Sequence, residues 1–440
     1  MTTSTHLLRR RRFLPLFVTQ LFNAFNDNLY KNAMVLFVVY TIYSSESAEG
    51  TFSAVASGLF ILPFFLLSAL AGQLADMRDK AKIIRIVKAC EIGLMVIGAT
   101  GLYLAWKGIS VFSVAIPLLL LALFLTGVQS TFLGPIKYAI LPQHLRKEEV
   151  LAGTGLVEAG TYVAILGGTI LGGLLPVEWA AGGIIVAAIV GYVVSRQVPS
   201  APPQGEVEKL DWHIVRASIA LVRNTMHNRE VYYAILAISF FWTIGAVLFI
   251  QFPPLAKNTI MASKEVAMLF LVVFSVGVAT GSISINALLK GKVSARYASQ
   301  SVVAMGLSVV AFYLVCKAWE ADQPAQLLTT GEFVAWPLAS LILLCLFGIA
   351  FFGGMFVVPL YAFLTTRARP DQAARVIAAN NIVNSGAMVA GSLLAMFLSM
   401  IGIAITEQLL LSAALCLVSA WLGRRLLAAE RDAAAVPVPR

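Results

Sequence analysis

An all-α membrane protein, with twelve transmembrane helices in two six-helix pseudo-symmetric halves, is the fold class that three features predict. Of 440 residues, 59% are hydrophobic and only 12% charged, with a mean hydropathy of +0.85. So few charges cannot solvate the surface of a soluble protein of this length. Apolar runs of about 20 residues, enough to cross a hydrocarbon core, recur roughly twelve times. One long polar stretch, 197–229, separates six of these runs from the other six.

The first run, 13–43, follows the basic residues Arg9 to Arg12. It is too long for a removed signal sequence and lacks a small-residue cleavage site, so it reads as a retained helix. The second, 51–75, runs into a charged turn, and the third, 83–106, resumes beyond it. Runs at 110–137, 149–175 and 179–196 complete a first bundle spanning 1–196. Prolines open the linker 197–229, which continues as an amphipathic surface helix. Runs at 230–256, 265–289, 297–316, 334–364, 375–399 and 403–423 form a second bundle, 230–426, leaving a tail at 427–440.

With both termini cytoplasmic, 27 of the 32 Lys and Arg fall in cytoplasmic ends and loops. That asymmetry sets the expected orientation under the positive-inside rule. The net charge of +10 is then an insertion signal, and no nucleic-acid partner is expected. Cys90, Cys316, Cys345 and Cys416 are scattered without metal-ligand spacing, so neither a metal nor a disulfide is expected. All four histidines lie in termini or loops. The spans hold no phosphate-binding Gly-rich loop and no nucleophile–histidine pair, so the chain reads as no enzyme and needs no cofactor.

The halves are related in sequence. "VLAGTGLVEAGTYVA" (150–164) aligns with "VIAANNIVNSGAMVA" (376–390) with 6 identities in 15 positions, and "GPIKYAIL" parallels "VPLYAFL" just upstream. Glu158 and Asn384 become equivalent positions. Paired glycines at 167–168, 172–173 and 353–354 mark places where helices pack closely.

The first run is interrupted by "AFNDNLYKNA", residues 24–33. Asp27 falls close to the bilayer midplane, where an ionised side chain costs at least about 2.5–3.5 kcal/mol unless it is paired or wet. Gln20, Asn23, Asp27 and Lys31 share one face of the helix, bordered by Asn28 and Asn32. Two readings stay open: Asp27 and Lys31 pair at i, i+4 as a structural clamp, or they bind an amphiphile carrying both charges. In the second reading Asp27 takes an ammonium, Lys31 a phosphate, and the asparagines supply hydrogen bonds. Glu158 is a second carboxylate within the membrane, and Asn380, Asn381 and Asn384 line the opposite half. Trp242 with Phe240, Phe241, Phe249, Phe351, Phe352 and Tyr361 offers an acyl-chain surface. Glu91, near the cytoplasmic part of the third run, reads as structural.

Residues 72–86, "GQLADMRDKAKIIRI", resemble the loop motif between the second and third helices of the major facilitator superfamily. That resemblance implies a gating role for Gly72, Asp76 and Arg78. Gly72 lets helices approach, and Asp76 caps a neighbouring helix N-terminus and pairs with Arg78 or Lys82. The superfamily's glycine after Arg78 is Asp79 here.

Three stretches resemble a narrower group, the bacterial lysophospholipid transporter family: "QLFNAFNDNLYKNAM", "GPIKYAIL…TGLVEAGTYVAILGG" and "GGMFVVPLYAFL…NNIVNSGAM". The resemblance implies a multi-pass protein of the bacterial inner membrane. It would move lysophospholipids from the outer to the inner leaflet by alternating access, for re-acylation by a cytoplasmic acyltransferase. Some relatives are fused to that enzyme; here it is expected to be a separate partner. Members often carry a basic residue after the Phe-Trp pair of the seventh helix, whereas "FFWTIGAVLFIQF" has only Gln251. A proton-coupled drug or metabolite exporter, using Asp27 or Glu158 as its proton site, is the alternative.

Overall fold

The structure, a computed structural model, describes residues 6–43, 46–205, 210–321, 324 and 326–435. The side chains of Phe249, Pro253 and Pro254 lie outside the described residues, as do the last five positions of the expected tail. Twelve helices of 19 residues or more are found among the described residues. They are α1 (Leu14–Phe37), α2 (Glu46–Met77), α3 (Lys80–Trp106), α4 (Ile116–Ala139), α5 (Val150–Leu174) and α6 (Val177–Ser195), then α7 (Arg229–Pro254), α8 (Lys264–Leu289), α9 (Ala298–Glu320), α10 (Ala339–Arg367), α11 (Ala373–Met400) and α12 (Ile405–Ala435). Ten are long and apolar enough to cross a membrane by length and composition. The other two, α1 and α3, carry the polar residues that the candidate site uses.

Local chemistry sets several helix starts. Asp79 caps α3 by accepting from the amides of Ala81 (2.8 Å) and Lys82 (3.2 Å). Asn228 caps α7 in the same way. Both satisfy donors that the first helical turn leaves without intrahelical partners. The helices then pack in a repeated pattern. In the first half α1 packs on α6, α6 on α3, α3 on α4 and α4 on α2; in the second, α7 packs on α12, α12 on α9, α9 on α10 and α10 on α8.

The chain forms two compact units. The first comprises Met1–Gly153, Val163–Asn224 and Ala368–Ile382; the second comprises Thr154–Tyr162, Thr225–Arg367 and Val383–Arg440. Each unit thus contains a short segment from the other half's sequence: Thr154–Tyr162 lies within the first aligned repeat, and Ala368–Ile382 overlaps the second at 376–382.

In the first unit Tyr30 is the wedge between helices. Its ring fills the space above Gly98, where an added Cβ would sit 2.7 Å from it, and its hydroxyl donates to the Leu119 carbonyl at 2.7 Å. Met34, Met95, Leu102, Leu119, Leu123 and Ile184 close the core around it. Gly168 and Gly172 bring the α5 backbone against α1 at Leu29 and Ala33. In the second unit Trp319 is fully buried against Phe333 and Trp336, and its indole donates to the Ile260 carbonyl at 3.0 Å.

The linker is docked on the first unit. Asp79 accepts from the Ala201 amide and from the Ser200 hydroxyl, the Lys80 amide donates to the Ala201 carbonyl, and Arg85 donates to the Val198 carbonyl at 2.7 Å. Burial works against the Asp79 charge, but the hydrogen bonds from Ser200, Ala201, Lys82 and Ala81 hold its carboxyl below the ordinary range. Asp79, the residue that departs from the superfamily glycine, therefore joins the α2–α3 turn to the linker.

Candidate functional site

The polar face of α1 folds against three helices of the first unit. Toward α4, Gln20 donates to the Lys137 carbonyl at 3.1 Å. Asp27 Oδ2 accepts from the Ser130 hydroxyl at 2.5 Å and from Asn23 Nδ2 at 3.3 Å. Toward α3, Asn26 Nδ2 donates to Glu91 Oε1 at 2.8 Å. Gln129 Nε2 bridges the two groups, 2.8 Å from Glu91 Oε2 and 2.8 Å from Asn23 Oδ1. Lys88 forms an ion pair with Glu91, both fully buried. Toward α5, Asn32 reaches Thr169 at 3.2 Å, while Asn28 donates to its own helix at the Ala24 carbonyl.

The sequence pointed to Asn23 and Asp27, and the structure puts them in one hydrogen-bonded cluster. Lys31 is placed differently. No ion pair joins Asp27 to Lys31 among the described residues; the Lys31 ammonium lies over the Phe60 ring, 5.7 Å from its centroid. The two charges attract without direct contact, and α4 supplies Asp27 with a nearer donor in Ser130. Asp27 is buried, yet its Oδ1 has no hydrogen-bond partner. Asn380 is fully buried in this unit with neither side-chain polar atom hydrogen-bonded.

Glu91 has structural partners in Lys88, Asn26 and Gln129, and through Gln129 and Asn23 the same network reaches Asp27. Lys88, counted among the residues at cytoplasmic ends, is buried. Sequence reasoning missed Gln129, Ser130 and Asn26 as well. The available signals were the i, i+3 spacing of Lys88 and Glu91, which neutralises two charges on one helix face, and the polar pair Gln129–Ser130 inside an apolar run.

The second unit holds the remaining predicted residues. Trp242 Nε1 donates to the Tyr361 hydroxyl at 2.8 Å, and Ser239 donates to Asn384 Oδ1 at 2.6 Å. Glu158 is buried beside Tyr162, which also neighbours Tyr361. Phe241 packs on Trp242 and Phe356. An aromatic surface with a few polar groups at its edge can hold a hydrocarbon chain and orient the head attached to it.

The candidate gate lies within the first unit, because the first turn of α11 belongs to it. Asp76 accepts from the backbone amides of Ala374 at 3.0 Å and Arg375 at 2.9 Å. It therefore caps a neighbouring helix N-terminus. Its cationic neighbours differ from those expected: Lys80 Nζ at 4.0 Å and Arg375 Nε at 3.9 Å, rather than Arg78 or Lys82. Arg78 is exposed. Lys80 opens α3 across the turn from Asp76 and Arg375 is on the capped helix, and both lie within 4.0 Å of it. Gly72 permits the approach, since a Cβ there would sit 2.6 Å from the Ala378 Cβ and 3.1 Å from the Arg375 Cα.

A family model described as Major Facilitator Superfamily matches residues 16–392. The chain belongs to the major facilitator superfamily. Curated relatives include lysophospholipid transporters LplT. The protein from Cronobacter sakazakii is 25% identical over 390 residues, covering 86% of each chain. That from Klebsiella pneumoniae is 25% identical over 405 residues, covering 88% of this chain and 90% of its own. These relatives match the narrower resemblance read from the sequence. Among solved structures, a bacterial homologue of the iron transporter ferroportin in an outward-facing state has a TM-score of 0.70 at 13% identity, covering 95% of this chain and all of its own. The human organic anion transporter MFSD10 also scores 0.70, at 14% identity, covering 94% of this chain and 99% of its own. These two show the shared superfamily fold. The chain is thus a multi-pass membrane protein of a transporter family rather than of an enzyme family.

Proposed function

We propose that this chain is a lysophospholipid transporter of the bacterial inner membrane, with both termini cytoplasmic. It moves lysophospholipids from the outer to the inner leaflet by alternating access, for re-acylation by a cytoplasmic acyltransferase. The observation that carries this reading is similarity to named lysophospholipid transporters over more than four-fifths of the chain. The site chemistry is consistent with it. Asp27 keeps one oxygen committed to Ser130 and Asn23 and the other without a partner, which suits an ammonium. Lys31, over the Phe60 ring and without a direct ion pair to Asp27, is the cation for a phosphate. Glu158, Trp242 and Asn384 form the proposed contacts of the second unit, and Asn28 and Asn380 complete the set.

Uptake of labelled ethanolamine and glycerol lysophospholipids, measured at matched protein abundance, tests this. Asp27→Asn is expected to depress transport of the zwitterionic lipid more than the anionic one, because only the former carries an ammonium. Lys31→Gln is expected to depress both. Equal losses for both lipids in Asp27→Asn would refute the ammonium assignment, and no lysophospholipid uptake by the native chain would refute the substrate class.

A buried carboxylate oxygen without a partner also suits a proton, so the exporter alternative has an observation in its favour. Lipid transfer can run down a gradient maintained by re-acylation, so proteoliposome uptake should persist when the pH gradient is collapsed. Strict dependence on that gradient, with loss in Asp27→Asn regardless of lipid, would favour the exporter.

A further inference from the structure

The linker helix Ile214–Thr225 presents three sectors with different chemistry. One sector is docked: Ala217, with Leu221 and Val222 beside it, packs against Ala69 of α2 and Ile382 of α11 in the first unit. The Asp211 amide donates to Gln73 Oε1 at 3.0 Å and anchors the helix start. Ala69 and Ile382 both lie inside candidate membrane spans, Val55–Met77 and Ala373–Leu398. Ala69 is eight residues before the end of α2, a rise of about 12 Å at 1.5 Å per residue. The linker helix therefore packs against the sides of α2 and α11 rather than beyond their ends.

The second sector is apolar and exposed. Val215 and Ile219 are 67% and 64% exposed and stand at i and i+4 on one stripe of the helix, and Trp212, 69% exposed, lies just before the helix start. At 100° per residue, Arg216 and Arg223 follow on the next sector, and both are exposed. Arg216 also holds Asp211 at 2.9 Å through Nη2 and at 3.3 Å through Nε. A helix with a docked face, an apolar stripe led by a tryptophan and an adjoining basic edge has the build of an element lying in a bilayer interface.

We propose that this helix is a lipid-binding element for anionic phospholipids of the leaflet at this end of the spans. Trp212, Val215 and Ile219 enter the boundary between head groups and acyl chains, and Arg216 and Arg223 meet the phosphates. Because the same helix rests on α2 and α11 beside the Asp76 cap, lipid held there also holds the linker on that contact.

Full-length protein in nanodiscs of phosphatidylcholine alone, or of phosphatidylcholine with phosphatidylglycerol, tests this by amide hydrogen exchange of residues 214–225. Two arginines near an anionic surface are expected to slow exchange about 30-fold in the glycerol lipid. Arg216→Gln with Arg223→Gln should remove the difference between the two discs, and Val215→Ser with Ile219→Ser should raise exchange in both. Unchanged exchange within the transmembrane helices verifies that each variant is folded. Equal protection in the two lipids for the native chain would overturn the proposal. So would a lipid difference that survives loss of both arginines. Neither readout depends on which substrate the protein carries.

Discussion

Asp76→Asn isolates the contribution of one carboxylate to the contact between α2 and the first turn of α11. Asp76 is 4% exposed and accepts two backbone N–H groups, from Ala374 and Arg375, that the helix itself leaves without partners. Asparagine has one acceptor oxygen, so it keeps one of these bonds and turns its own donor toward the other amide. One charge-assisted hydrogen bond is lost, worth about 1.5–3 kcal/mol, and the favourable field of a carboxylate at a helix N-terminus goes with it. A loss of about 2 kcal/mol corresponds to about a 30-fold shift in the population of the docked contact. Hydrogen exchange at the amides of Ala374 and Arg375 should rise by that order. Lysophospholipid transport should fall while abundance and membrane insertion stay near native. Gly72→Ala should give the same phenotype with the charge untouched, because its Cβ would meet the Ala378 Cβ at 2.6 Å. Native exchange at 374 and 375 together with full transport in Asp76→Asn would show that the cap is not part of the gate.

Three further outcomes follow from the packing. Burial holds the His144 imidazole below its ordinary value of 6.5, against weaker opposing effects that include the Ser200 carbonyl. The unfolded chain thus binds the proton more readily, and stability is lost as pH falls below about 6.5. The decline in melting temperature between pH 7.5 and 5.5 should therefore be smaller in His144→Gln than in the native chain. Gly168→Val should cut abundance and thermal stability, since its Cβ would sit 2.9 Å from the Leu29 amide; Gly183→Ala, with 3.7 Å to Leu29 Cδ2, should be tolerated. Trp242→Phe and Tyr361→Phe each remove one end of a 2.8 Å hydrogen bond, so a double-mutant cycle on unfolding should return a coupling of about 1 kcal/mol.

The fold was legible because membrane spans obey composition. Long apolar runs separated by charged turns admit few alternatives once every backbone amide must be satisfied within its own helix. The repeat was legible from 150–164 and 376–390, and the structure adds that parts of these segments sit in the opposite compact units. The site was legible only one helix at a time. Spacing along α1 put Asn23 and Asp27 on one face, but the identity of the partner across that face depends on how α4 is rotated. Ser130 and Gln129, two polar residues in an apolar run, gave no periodic signal of their own. Lys88 was misplaced for a related reason: a lysine near a span end reads as a topology signal until its neighbour Glu91 is seen to neutralise it. The Asp76 cap was legible in kind, as a carboxylate aimed at a helix end, while its cationic neighbours depended on the geometry of the α2–α3 turn.

The charges buried in the first unit do not balance one another, and this asymmetry bears on function. Lys88 and Glu91 form a neutral pair, supported by Asn26 and Gln129, and can be understood as a structural unit. Asp27 has no cation within ion-pair distance among the described residues, because Lys31 rests on Phe60 and Lys88 is committed to Glu91. Its one strong donor is a hydroxyl, and a second amide contact at 3.3 Å adds little. A carboxylate held this way inside a transmembrane bundle has the Lys31 and Lys88 charges nearby but none in direct contact. A coupling cation (a proton or a sodium ion) or a charged group on the cargo can reach such a position in a transporter. The neighbouring Lys31 separates them, because a lone proton site gains nothing from an ammonium one turn away. A zwitterionic head group presents an ammonium and a phosphate together and complements both residues. The two readings therefore differ in what Lys31→Gln does, and dependence of that variant's defect on the substrate's phosphate is what the lipid reading requires.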